Sequence, residues 1–214
     1  ERELLCLRNG YLFSPAFHEM NDPMEAFYEM GSTFDTAIDF YFDRSGMSAD
    51  LYNIAAEEIS KFAVISFSDS AQNFPLWAYY ADNFKGFCLE FDTQKLMLGG
   101  LEAEYLHPVR YVSRPPPKLS LLEILRTDRS ALTRHLYFKR QEWNHEKEWR
   151  LVTASRGAKS YTDDALTAVY VGPRASPKLA DKICKTLRRR PTDIYQFKTT
   201  GYRMEKKLIQ AATP

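Results

Sequence analysis

Hydrophobic and polar positions along the chain change period repeatedly, and each change predicts an element. Arg2 to Leu7, with Leu4, Leu5 and Leu7 apolar, reads as a helix that Asn9-Gly10 stops. Tyr11-Leu12-Phe13 follows as a short strand ended by Ser14-Pro15. Asp22 can cap, Pro23 fits a first helical position, and Glu25 completes a capping box, so another helix is expected there. Leu51, Ile54, Ala55, Ile59 and Phe62 keep helical spacing and predict a helix from Asp50 to Phe62. Ala63 to Ser68 is a short, largely apolar strand. Leu76 to Ala81 predicts a brief helix entered through Asn73 and Pro75. Gly86 to Phe91 is a strand with Phe87, Leu89 and Phe91 on one face. Val109 to Val112 precedes a rigid Pro115-Pro116-Pro117 loop, and Leu121 to Phe138 reads as mostly helical. Strands at Glu148–Val152 and Ala168–Gly172, a basic helix from Lys178 to Arg190, and a strand at Ile194–Phe197 complete the series. The pattern predicts one α+β domain over residues 1–214, with mixed, mainly antiparallel sheets and flanking helices.

Composition narrows the partners. The 214 residues carry 29 basic and 28 acidic side chains, a formal charge of +1, so no global field draws the chain to nucleic acid or an anionic membrane. No apolar run approaches the roughly 18 residues of a membrane span. Cys6, Cys88 and Cys184 lie far apart without a CxxC or Cys/His cluster. Reduced thiols in a cytoplasmic protein are therefore expected, with no structural zinc. The 13 Tyr and 14 Phe are enough for a packed core plus a ring-lined cleft.

Two stretches can carry chemistry. If a strand begins near Glu146, then Glu146, Glu148 and Arg150 share one face while Trp149 and Leu151 take the other. Two carboxylates and a guanidinium so placed make either a ligand site or a solvated charge ladder, and the ladder is the commoner pattern. The second stretch joins the hydroxyls of Ser66 and Ser68 to a helix bearing Trp77 and Tyr80. That arrangement is a polar ledge beside stacking rings, or two rings packed into the core, again the commoner outcome. His18, His107, His135 and His145 show no metal-ligand spacing, although His145 adjoins the glutamates. Arg188-Arg189-Arg190 is read as a solvated, dipole-complementing helix end. Glu90 and Asp92 share a strand face, so with Glu146 and Glu148 they offer an alternative oxygen-ligand site for Mg²⁺ in a nuclease or phosphoesterase.

The order Asn9-Gly10, Phe13-Ser14-Pro15, Asn21-Asp22-Pro23-Met24-Glu25, Ser66-Phe67-Ser68, Leu76-Trp77 to Tyr80-Ala81, Gly86 to Phe91 and Glu142-Trp143 to Leu151 resembles a bacterial family, domain of unknown function 2971. More remotely, the layout is similar to ADP-ribosyltransferases that modify nucleic acids as toxins or in phage defence. That resemblance implies NAD as substrate and a protein or nucleic-acid acceptor. It implies Glu148 as the catalytic member of an ExE pair and Glu146 as its partner in target activation. Ser66 or Ser68 would be the hydroxyl station, with Trp77 or Tyr80 stacking on the nucleotide. It also places a nucleotide-gripping residue on a strand upstream of Glu1. A non-catalytic nucleotide-binding or interaction module is the remaining alternative.

Overall fold

A computed structural model describes residues 2–22, 47–98, 106–114, 116, 123 and 129–213. The fold is α+β with mixed, mainly antiparallel sheets, as the pattern predicts. The helices are α1 (Arg2–Asn9), α2 (Met47–Ser60), α3 (Phe74–Tyr80), α4 (Thr93–Leu98), α5 (Arg129–Arg134) and α6 (Pro177–Leu187). The strands are β1 (Tyr11–Ser14), β2 (Ala63–Ser68), β3 (Phe87–Phe91), β4 (Leu106–Pro108), β5 (Arg110–Val112), β6 (Phe138–Arg140), β7 (Glu148–Thr153), β8 (Gly157–Ser160), β9 (Leu166–Val171), β10 (Asp193–Thr200) and β11 (Arg203–Gln210). Pro23 to Glu25 and the helix expected after them lie outside the described residues, as do most of the triple proline and the first part of the Leu121–Phe138 segment.

These strands form a four-stranded sheet in the order β11-β10-β9-β3, a three-stranded sheet β2-β7-β4, and the pairs β1-β8 and β5-β6. Among the described residues only β10/β9 and β5/β6 run parallel. The β9/β10 crossover is made by α6, whose start is written locally: the Ser176 hydroxyl accepts from the Leu179 amide and Pro177 opens the first turn. Pro15 accepts from the Val64 amide and Ala16 bridges Ala63, tying β1 to β2.

The largest apolar cluster fills the space between the two larger sheets and α6. Leu166, Val169, Val171 and Ile194 meet Ile183 and Leu187 of α6, with Ile65 and Leu151 among the same cluster. Both faces of β3 are used. Phe87, Leu89 and Phe91 pack on this cluster, as their alternation predicts, while Cys88 turns to a cluster of Trp77, Tyr170, Phe197 and Met204. A third cluster sets Ala55, Ile59 and Phe62 against Ala131, Leu132, Leu136, Tyr137, Val64 and Val152.

The chain leaves α3 through three successive left-handed residues, Asp82, Asn83 and Phe84, with φ of 44°, 52° and 68°. Such backbone costs about 1–2 kcal/mol per non-glycine residue, so its surroundings must hold it. The Phe84 amide donates to the Trp77 carbonyl at 3.0 Å, the Gly86 amide to Ala81 at 2.8 Å, and the Phe84 carbonyl accepts from Arg174 at 3.1 Å. Gly172 fits beneath because it lacks a Cβ, which would lie 2.3 Å from the Phe84 carbonyl oxygen.

The Arg188-Arg189-Arg190 run is more than a solvated helix end. Arg190 reaches back to α1 and donates to the carbonyls of Leu7 and Arg8 at 3.2 and 2.9 Å. It thereby satisfies carbonyls at the end of a helix that Gly10 terminates with a φ of 66°.

Candidate functional site

Along β2 and β7, one sheet face changes character within two residues. Val64 and Val152 sit opposite each other at its apolar end, within the cluster under α2 and α5. The next pair on that face is Ser66 and Arg150, and the next is Ser68 and Glu148, with His107 of β4 beside Arg150. Trp149 and Leu151 take the opposite face, as alternation requires.

The strand does not extend to Glu146. Residues Gln141–Glu146 form a 3-10 segment, and Lys147 is left-handed with φ 47° and ψ 50°. The turn interrupts strand alternation, yet Glu146 still reaches the same polar group as Glu148. Two outside contacts fix the segment's backbone: the Ser68 hydroxyl donates to the Glu146 carbonyl at 2.8 Å, and the Asn73 amide donates to the His145 carbonyl at 2.6 Å. Asn73 thus spends its side chain across the site instead of capping α3.

The result is a row of alternating charge. Lys139, on the short strand β6, donates to Glu146 Oε2 at 2.6 Å and to Glu148 Oε2 at 3.0 Å. Arg150 grips Glu148 through Nε at 2.8 Å and Nη2 at 3.0 Å, while its Nη1 donates to the Leu136 carbonyl at 2.6 Å. All four side chains are buried. The solvated-ladder reading of Glu146, Glu148 and Arg150 is therefore overturned. At the outer end, the Tyr80 hydroxyl donates to Glu146 Oε1 at 3.0 Å, in a residue that is 54% exposed. Above Lys139 lies the Trp143 ring, 5.0 Å from Nζ to centroid. The Glu148 amide donates to the Tyr111 hydroxyl at 2.8 Å, which joins β5 to the same point.

Burial pushes the Glu148 carboxyl up, but the Arg150 and Lys139 charges and a hydrogen bond from Ser66 outweigh it and hold the group below the usual carboxylate range. Tyr80 moves the other way: partial burial and the neighbouring Glu146 keep its phenol protonated to higher pH than usual. A buried ion row of this kind is rarely the most stable way to fill such a volume, since apolar side chains of similar size often do as well or better. A buried carboxylate held below its usual range, adjoining exposed groups such as Ser66 and Tyr80, marks this row as the candidate site.

The predicted site residues separate here. Glu146, Glu148, Ser66, Ser68 and Tyr80 all touch the row. Trp77 does not. It is 3% exposed, its indole donates to the Ala71 carbonyl at 2.8 Å, and it stacks on Phe84 and meets Phe197 edge-on. Trp77 and Tyr80 lie on one helix, yet the first enters the core and the second faces the charges. Lys139, Tyr111 and Asn73 were missed from sequence. Lys139 sits alone in a Phe-Lys-Arg strand, and no spacing rule connects it to Glu146. His145 bonds locally through Nδ1 to the Glu142 carbonyl region at 3.1 Å. The alternative metal site does not assemble. The Glu90 carboxylate accepts from Tyr170 and Thr167, and Asp92 caps α4 by accepting from the Gln94 amide. Among the described residues no group of three or more His, Cys, Asp or Glu side chains could hold a metal. Nor is any described helix long and apolar enough to cross a membrane.

No curated protein and no solved structure matches the chain. Residues 76–151, a stretch that contains Tyr80, Lys139, Glu146, Glu148 and Arg150, match the family Protein of unknown function (DUF2971), as the sequence motifs lead one to expect.

Proposed function

We propose that this chain is an ADP-ribosyltransferase-like enzyme that cleaves NAD and transfers ADP-ribose to a protein or nucleic-acid acceptor, in a toxin or phage-defence setting. The observation that carries the reading is the pair Glu146 and Glu148 on one lysine, beside the hydroxyls of Ser66 and Tyr80. Breaking the nicotinamide–ribose bond develops positive charge on the ribose, as glycoside cleavage does. A carboxylate already ionised and fixed in direction stabilises that charge without reorganising. Glu148 meets both conditions, because Arg150 binds both of its oxygens. Glu146 serves the acceptor, whose proton it receives. Tyr80 supplies the ring beside the nucleotide, a part that the buried Trp77 is not placed to play.

The test is nicotinamide release from labelled NAD by the full chain, with protein and nucleic acid present as acceptors. Glu148→Gln, shown to be folded by circular dichroism, is expected to lose at least about 100-fold in rate, the usual scale for deleting an electrostatic stabiliser. Unchanged release by that variant removes Glu148 from the chemistry. A folded wild type that neither binds nor cleaves NAD refutes the reading itself.

A further inference from the structure

The polar row contains an arrangement that acceptor transfer to a separate molecule does not require. A nucleophile is commonly recognised by a hydroxyl within 2.6–3.2 Å of a base that a third group orients. Tyr80, Glu146 and Lys139 have this geometry: the phenol lies 3.0 Å from Glu146 Oε1, and Lys139 Nζ lies 2.6 Å from Oε2 of the same carboxylate. The phenol is borne by a half-exposed ring, whereas base and orienter are buried. The other hydroxyls of the row are placed differently. Ser68 donates to a backbone carbonyl, and the Tyr111 oxygen accepts a backbone amide. Ser66 bonds Glu148, but two cations already occupy that carboxylate and hold it below the usual range, which makes it a poor base.

Resting on the NAD reading above, we propose that Tyr80 is itself an acceptor, so that the chain attaches ADP-ribose to its own α3. The nicotinamide–ribose bond breaks, with its electron pair leaving on nicotinamide. The Tyr80 oxygen forms the new bond to the anomeric carbon, and the phenolic proton passes to Glu146. Charge and atoms balance without a further reactant. The modification places two phosphates at the mouth of the row and occupies the phenol that otherwise bonds Glu146.

Peptide mapping by mass spectrometry after incubating the full chain with NAD tests this. The expected result is one ADP-ribose adduct on Tyr80, stable to hydroxylamine as an O-glycoside of a phenol is, and lost in Glu146→Gln. Tyr79→Phe, which removes the neighbouring 68% exposed phenol, is expected to keep it. An adduct that hydroxylamine removes lies on a carboxylate, and one on Ser66 or Tyr79 identifies a different nucleophile. Either result overturns the assignment of Tyr80. Nicotinamide release with an unmodified Tyr80 also overturns it while leaving NAD cleavage standing, whereas no release at all overturns both.

Discussion

Replacing Lys139 by Met removes the cation between two buried carboxylates while retaining most of the volume. At 2.6 and 3.0 Å, and with an effective dielectric of ~20, each lysine–carboxylate attraction amounts to about 5–6 kcal/mol. Desolvation of the ammonium offsets much of this sum, and breaking a buried pair from one side costs about 3–5 kcal/mol. Glu148 keeps Arg150, so the loss falls mainly on Glu146, which keeps the Tyr80 phenol. Urea unfolding at pH 7 reads the effect. A 3–5 kcal/mol loss moves the midpoint down by about 1–2 M at the slopes usual for a chain of this size. Adding Glu146→Gln to Lys139→Met is expected to recover part of the loss, giving a coupling of about 1.5 kcal/mol or more. The pH dependence has a definite sign. Glu148 has a lowered folded pKa, so its contribution is present above its unfolded value near ~4.3 and is lost as pH falls through the folded value. A cost below about 1 kcal/mol, or strictly additive losses in the double variant, refutes the reasoning.

Other outcomes follow from single contacts. Gly172→Ala pushes a methyl against the backbone of the left-handed turn and is expected to cost more than about 2 kcal/mol, seen as a fall in Tm of at least about 4–8 °C. Arg190→Ala strips the end of α1 of two charge-assisted hydrogen bonds, a loss of about 1–2 kcal/mol that hydrogen exchange should localise to Arg2–Asn9. Glu19, bonded by Arg156 and by the Ala16 amide, is held at about 2, and NMR titration of Arg156→Gln should move its midpoint back toward 4.5. Burial, aided by Arg134, pushes the His135 imidazole down to about 4, so folded stability is expected to fall as pH drops from ~6.5 toward that value. His135→Leu should flatten that part of the urea–pH profile.

Elements with strong local signals were legible in the sequence. Ala63–Ser68 has the bounds of its short, largely apolar run, and the basic helix expected over Lys178–Arg190 is α6, Pro177–Leu187. The strands β4, β6, β8 and β11 were not legible. Three of them have only three or four residues, too few for a period to emerge, and β11 reads Arg-Met-Glu-Lys-Lys-Leu-Ile-Gln, a largely exposed strand. At the site, Glu148 and Arg150 were correctly placed on one face by alternation. Glu146 joins them for a different reason, since left-handed Lys147 replaces the expected strand step. Which large ring of α3 enters the core was equally hidden. Trp77 and Tyr80 share helical spacing, and the choice is made by Phe84, folded back through the left-handed turn, and by Phe197, distant in sequence. The apposition of Lys139 to the glutamates is a tertiary contact without a local trace.

The charge row has a consequence for genetics. Lys139 on β6, Glu148 and Arg150 on β7, and Tyr111 on β5 fasten the β5-β6 pair to the three-stranded sheet, two sheets that are not joined to each other as one ladder. The groups offered for chemistry are thus also rivets of the scaffold. Alanine scanning of this row will confound the two, because a vanished activity can come from a chain that has come apart at the seam. Isosteric exchanges, Glu→Gln above all, preserve the shape while deleting the charge, and in this protein only such exchanges give a silent phenotype a chemical meaning.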